Sequence, residues 1–374
     1  MILTEQAAAL VKPDFNIREI KNACDKLVFC TLFDSNYLDK GIVLYKSMNK
    51  RMKNFKLYIF ALDNKCFEIL YAMNLDNVVV VSVECIMTNR LRQIKGERTR
   101  AEFCWTCTAA TIEYVLLTYK EKMCTYLDAD IYFFADPSAV IDEIIEKNCS
   151  VGLVQHGFER DYEYARHILH VGKYCIQFNT FLNNEEGLYI LREWKKNCLD
   201  WCYHRFEDDK FGDQKYPDKW KYKYNCVHDY QNLGAGVAPW NLHLYSYKGK
   251  KNGTIWMEYR HNQFPLIFYH FEGMKYLANH NIFLNLWKWT KLGTGKKVKL
   301  FYGEYVRELE RTRKYLKKYH NIEFKHMIAD EHVNPIKRYS CKSFCVENGV
   351  IGGICLWIGF KKNNILNVKN IQDM

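Results

Sequence analysis

Short apolar runs alternate with amphipathic stretches through the first half of the chain. Residues 27–32 are apolar and run into Phe33-Asp34-Ser35-Asn36, a turn-forming cluster, so a buried strand followed by a turn is expected. A helix then fits residues 37–52, with Ile42, Val43, Tyr45 and Met48 on its inner side. Residues 56–62 and the valine-rich 77–83 read as strands, with a helix at 67–73 between them. Over 101–119 the positions Phe103, Cys107, Ala110, Tyr114 and Leu117 recur every three or four residues, the spacing of a buried helix face. A strand at 123–127 leads into Asp128-Ala129-Asp130 and a second apolar stretch at 131–134. Asp136 before Pro137 reads as an N-cap with proline at the first helical position, opening a helix to about residue 147. Strands alternating with helices predict an α/β fold whose central sheet is mostly parallel.

The second half is less regular. Strands are expected at 150–155 and 177–182, then a helix whose stripe Leu188, Leu191, Trp194, Cys198 and Trp201 belongs to the core. Residues 206–220 read as loop, 243–247 as a short strand and 265–271 as the last clear strand. Beyond Glu272-Gly273 the composition shifts to Lys, Asn and Tyr, with a basic helix near 304–319. The expected division is an N-terminal extension at 1–26, a catalytic domain at 27–285 and a basic C-terminal extension at 286–374.

Composition narrows the function. The excess of 54 basic over 43 acidic residues attracts polyphosphates, nucleic acids or anionic membranes without choosing among them. Nucleic acid is not expected as a partner, because no recognisable binding motif accompanies the charge and the aromatics sit at core-like spacing. Residues 1–12 lack a charged, cleavable leader and the apolar run 349–360 is too short to span a bilayer. With fifteen cysteines, an odd number, these features favour reduced thiols in a cytoplasmic protein, with peripheral contact at the inner face of an anionic membrane as its membrane option. The Cys104–Cys107 pair lies inside the helical pattern and has no second pair at zinc-finger spacing.

Three places carry candidate chemistry. Asp128 and Asp130, two residues apart in an extended chain, would turn both carboxylates to one side, where Mg²⁺ or Mn²⁺ can bridge them to substrate phosphates. Their place at the carboxyl end of a buried strand is where open α/β sheets bind ligands. His270 closes an apolar strand before the Gly273 turn and can complete a metal site, with Lys275 within reach of phosphate oxygens. Asp213-Gln214 combines a carboxylate with an amide, a pair able to read sugar hydroxyls.

In order and spacing these elements resemble glycosyltransferase family 8 and its relatives, including glycogenin and bacterial lipopolysaccharide galactosyltransferases. The stretch from Phe29 to Tyr37, with Gly41 and Ser47 in the following helix, looks like that family's first strand and uridine-binding turn. Asp128-Ala129-Asp130 matches its metal motif, Asn179-Thr180 its Asn-Ser-Gly segment with Phe181 in place of the glycine, and Asp213-Gln214 its sugar-holding pair. His270-x-x-Gly273 resembles the segment that supplies a third metal ligand; Lys275 comes one position early and no Pro-Trp follows. Residues 234–241 look more like a bacterial surface-polysaccharide branch than like glycogenin.

The resemblance implies a GT-A, Rossmann-like nucleotide-diphospho-sugar transferase fold with a C-terminal helical extension. It implies Asp128, Asp130 and His270 on Mn²⁺ or Mg²⁺, and a UDP-sugar donor held by Thr31, Tyr37, Arg98 or Arg100, Asn179, Gly273 and Lys275. Tyr37 would stack on uracil. A saccharide or glycolipid acceptor would receive the sugar with retention, Gln214 lying near the reacting carbon. An inverting enzyme would instead need a base, for which His156 and Asp213 are the candidates. The alternatives are a nucleotidyltransferase, disfavoured by the absence of glycine from residues 31–37, and a basic nucleic-acid- or membrane-binding module.

Overall fold

The computed structural model describes residues 26–158, 162–277, 281–286, 295–324 and 365–367. Most of the N-terminal extension, the apolar run at 349–360 and most of the C-terminal extension lie outside the described residues. The central sheet has seven strands: β1 (Leu27–Phe33), β2 (Phe55–Ala61), β3 (Val78–Ser82), β4 (Met123–Leu127), β6 (Val151–Gln155), β7 (Tyr174–Leu182) and β8 (Val227–Asp229). The spatial order is β3-β2-β1-β4-β7-β6-β8. Neighbours from β3 to β4 are parallel, β6 pairs parallel with β8, and β7 alone runs against both its neighbours, β4 and β6. This is the mostly parallel α/β sheet that the alternation predicts.

Helices cover both faces. On one side α1 (Leu38–Arg51) and α2 (Asn64–Met73) pack on the sheet, and on the other α3 (Asn89–Glu97), α4 (Arg100–Thr118) and α7 (Glu185–Asp200) do so. Gly41 lets α1 pack closely on the end of β1: a Cβ there would lie 2.2 Å from the buried Phe33 ring and force it to shift. A reciprocal capping box between Thr99 and Glu102 starts α4. The helix α5 (Ser138–Glu146) begins one residue later than expected, because Asp136 Oδ1 accepts from Ser138 N at 2.8 Å and leaves Pro137 at the cap itself.

Beyond Asp229 the pattern misleads in two places. Residues 242–244 form a 3₁₀ turn, and the strand starts only at β9 (Ser246–Lys251), which pairs with β10 (Thr254–Tyr259) and β11 (Asn262–Pro265). The expected strand at 265–271 is broken, since β11 ends at Pro265 and a separate β12 (Phe268–His270) pairs with β5 (Ile131–Phe133). The basic helix is longer than predicted: α9 (Gly295–His320) buries Tyr302, Tyr305, Val306 and Leu309 among Tyr132 and Tyr269. It is bound to α1 by Arg313–Asp39, Lys46–Thr312 and Lys50–Glu304 contacts. Arg311, Lys314 and Lys318 face outward, whereas Arg313 points inward. No described helix is long and apolar enough to cross a membrane.

Candidate metal and donor site

The carboxyl ends of β1 and β4 lie at the same edge of the sheet, and three backbone arrangements converge there. Asp128-Ala129-Asp130 is a tight turn between β4 and β5, closed by Ile131 N donating to Asp128 O at 3.2 Å. The pleat argument for two carboxylates on one side therefore fails: the chain has left the extended conformation before it reaches Asp130. What brings both to a common partner is the β12–β5 ladder, which sets His270 opposite Ile131 while Phe271 N donates to Asp130 O at 2.9 Å. His270 Nε2 lies 3.0 Å from Asp130 Oδ1 and 3.6 Å from Asp128 Oδ2. The third arrangement is the β4–β7 ladder, extended by Asp128 N donating to Gln177 O, which places the Gln177–Asn179 stretch of β7 alongside.

Charge in this cluster is unevenly shared. Burial raises the pKa of Asp130, but the Lys40 ammonium, 3.5 Å from Oδ2, and His270 outweigh it and hold the carboxyl well below its usual range. Asp128 is pushed up, by burial and by Asp130, against the pull of His270. Burial opposes charge on His270, yet Asp130, with Cys175 and Asp128 behind it, holds the imidazole well above its ordinary pKa. A cationic ring between two carboxylates is the protonated state of a site whose donors suit a divalent cation. Among the described residues the compact group of such donors is Asp128, Cys175 and His270, with ligand atoms within 4.8 Å of one another. Asp130 joins through His270 and is also engaged by Lys40. Sequence reasoning missed both Lys40 and Cys175.

The other candidate residues divide into a group at this edge and a group that serves the scaffold. Tyr37 is partly exposed on the rim, with Lys40 Nζ 4.1 Å from its ring centroid. Arg100 pairs with Asp34 and reaches Asp63 at 3.5 Å, beside the turn after β1. Thr31 is buried in β1 with its hydroxyl unpartnered, and Asn179 is buried with both amide atoms unpartnered. Gln177, which no motif flagged, shares that condition. Unsatisfied buried amides are costly in a core and ordinary where a ligand supplies the missing partners. Burial, then the Asp128 charge, push Asp213 up to about 8, and the Thr108 hydroxyl bonds it.

Gln214 donates from Nε2 to Val171 O at 2.8 Å, tying its loop to the end of α6 (Tyr162–Val171). Gly273 has φ +66°, and Asn285 fills the space a Cβ would take. Lys275 is exposed on β13 (Lys275–Tyr276). Arg98 departs from its expected phosphate role: its guanidinium bonds Thr106 Oγ1, Cys198 O and Leu199 O, so it holds α4 against the end of α7. A cation satisfying the last carbonyls of a helix has a structural reason to be there. His156 is buried, stacked on Phe158 and against Trp240, whose ring also meets His270 edge-on at 5.6 Å. Burial lowers its pKa to about 4, leaving a neutral ring and a weak base.

No family profile matches the chain. Two Bacillus subtilis proteins are similar in sequence. The uncharacterized protein YfnD is 25% identical over 286 residues, covering 76% of this chain and 88% of its own; YfnF is 28% identical over 263 residues, covering 68% and 84%. Among solved structures, mouse xyloside xylosyltransferase 1 aligns with a TM-score of 0.42 at 12% identity, over 66% of this chain and 98% of that one. The galactosyltransferase LgtC, solved with donor and acceptor sugar analogs, aligns with a TM-score of 0.44 at 14% identity, over 66% and 87%.

Proposed function

We propose that this chain is a metal-dependent, GT-A-type glycosyltransferase of the family 8 kind. It would move a sugar from a nucleotide diphosphate, UDP by preference, to a saccharide or glycolipid acceptor in surface-polysaccharide synthesis. The observation that carries the reading is His270 Nε2 within 3.6 Å of both Asp128 and Asp130 at the carboxyl edge of a parallel sheet. A divalent cation bound there would neutralise a diphosphate leaving group as a Lewis acid. Asp128, Asp130 and His270 would hold it, with Lys40 adding fixed positive charge beside Asp130.

Tyr37, on the rim after β1, offers its ring to a planar base, and Arg100 lies beside the same turn. The unpartnered amides of Asn179 and Gln177 are suited to sugar hydroxyls, and Asp213, protonated at neutral pH, can donate as well as accept. His156 is enclosed by Phe158 and Trp240, and Asp213 holds its proton, which leaves an inverting base poorly provided for and favours retention. Gln214 would then stand near the reacting carbon and Lys275 near the phosphates. Contact with an anionic membrane belongs to the same reading, on the outward Arg311, Lys314 and Lys318 of α9 with Tyr315 and Tyr319 beside them.

The test is hydrolysis of a panel of nucleotide sugars with Mn²⁺, with NMR of the released sugar. Turnover with a UDP-sugar, abolished by chelator and by Asp130→Ala at unchanged circular dichroism, is expected. Full activity in that variant would remove the metal reading. Sedimentation with anionic vesicles, declining as salt rises, checks the membrane contact.

A further inference from the structure

Cys175 belongs to no motif, yet its thiol lies against the cation site. It sits in β7 at an irregularity: Gly152 of β6 faces Thr180, but Val154 faces Cys175, so β7 bulges over residues 176–179. The bulge changes which side of the sheet the strand presents. Cys175 falls in with Ala238, Trp240 and Phe158, while its sulfur comes within 4.8 Å of the donor atoms of Asp128 and His270. Cys175 and His270 are both buried, and the Trp240 ring packs against His270 on the same flank. That flank is closed by aromatic and apolar groups, a setting in which a metal–sulfur bond is shielded from water.

Carboxylate oxygen and imidazole accept Mg²⁺, Mn²⁺ or Zn²⁺, whereas a thiolate selects softer ions and adds little for Mg²⁺. Resting on the transferase reading above, we infer that Cys175 is a ligand of this cation site, together with Asp128 and His270, and makes it prefer Zn²⁺ or Co²⁺ to Mg²⁺. On binding, the S–H bond breaks, its proton passes to bulk water, and the sulfur lone pair makes the bond to the metal. Asp130, which Lys40 also engages, approaches the same His270 nitrogen as Asp128 and completes the oxygen side of the site.

Full-length protein stripped by chelator is titrated with Co²⁺. A sulfur-to-cobalt charge-transfer band in the near ultraviolet, saturating at one equivalent, is expected. Cys175→Ser removes the band and weakens Co²⁺ and Zn²⁺ about tenfold or more, the range seen when metal-site partners are lost, while Mg²⁺ affinity stays put. Zinc K-edge absorption on the wild-type protein needs no variant, and should show a sulfur shell at ~2.3 Å. A band that survives Cys175→Ser, or a zinc shell of nitrogen and oxygen alone, overturns the assignment. Donor hydrolysis measured alongside separates the two proposals. Turnover without a sulfur shell keeps the transferase and discards Cys175 as a ligand; a sulfur shell without turnover on any nucleotide sugar keeps the metal centre and discards the transferase.

Discussion

Removing Arg313 tests whether α9 is part of the folded domain or an appendage. Arg313 Nε donates to Asp39 Oδ2 at 2.6 Å, with only 14% and 2% of the two side chains exposed. The other Asp39 oxygen accepts from Lys40 N at 2.8 Å. Arg313→Ala leaves the Asp39 carboxylate buried with that single hydrogen bond and uncovers the face of Tyr276, over which the guanidinium lies at 3.5 Å. Breaking a buried pair from one side costs about 3–5 kcal/mol, and the partial exposure of Arg313 puts the expectation near the lower figure. Against a total stability of about 5–15 kcal/mol, that is a large loss. Urea unfolding of wild type, Arg313→Ala, Asp39→Asn and the double variant would measure it. Asp39→Asn removes the stranded charge, so the double variant should be destabilised by less than the sum of the singles, with a coupling of about 1.5 kcal/mol or more. A loss within about 0.5 kcal/mol, the ordinary range for surface changes, or strict additivity, would mean that α9 does not depend on this pair.

Three further outcomes are expected. Tyr37→Ala should weaken UDP binding by about 1–3 kcal/mol, the worth of one base–aromatic stack; unchanged affinity by calorimetry would take the ring out of the donor site. His156 should produce acid lability. The unfolded chain protonates this residue below pH 6.5 while the folded chain keeps it neutral to about 4, so stability is lost as pH falls through that window, by about 3 kcal/mol. Unfolding midpoints at pH 7, 5 and 4 should therefore fall less steeply in His156→Gln, and parallel slopes would refute this. Gln177→Leu removes two unsatisfied amide atoms from a buried position, so it should leave stability equal or raise it by about 1 kcal/mol while lowering donor affinity; a destabilised variant with normal donor binding would place Gln177 in the scaffold.

The strands and helices around the site were largely legible because their apolar runs are bounded by turn residues, as at Asp34-Ser35-Asn36. Asp128 and His270 were legible too, since each ends an apolar run at its polar boundary. Lys40 was not, because a lysine in the first turn of a helix carries no sign of what stands across from it 90 residues later. Cys175 was hidden by the bulge in β7, which breaks the alternation that would have extended the strand back to Tyr174. The hairpin of β9 and β10 was missed because its exposed Lys and Gly positions masked Ile255 and Met257, its buried residues. Arg98 was misread because a cation before a helix looks the same whether it meets a phosphate or the carbonyls at another helix's end.

The ladder between β5 and β12 joins residues 135 to 139 positions apart, and it is only three residues long on each strand. Contacts of such long separation require loop closure before they return any free energy, so they form late. During synthesis the first parallel strands, through β4, leave the ribosome well before His270 exists. Asp128 and Asp130 then stand at the end of β4 without their third partner. On the proposed metal reading, tight cation binding would become available only when the polypeptide has folded back on itself, and metal affinity followed during refolding would be a clock for that closing event.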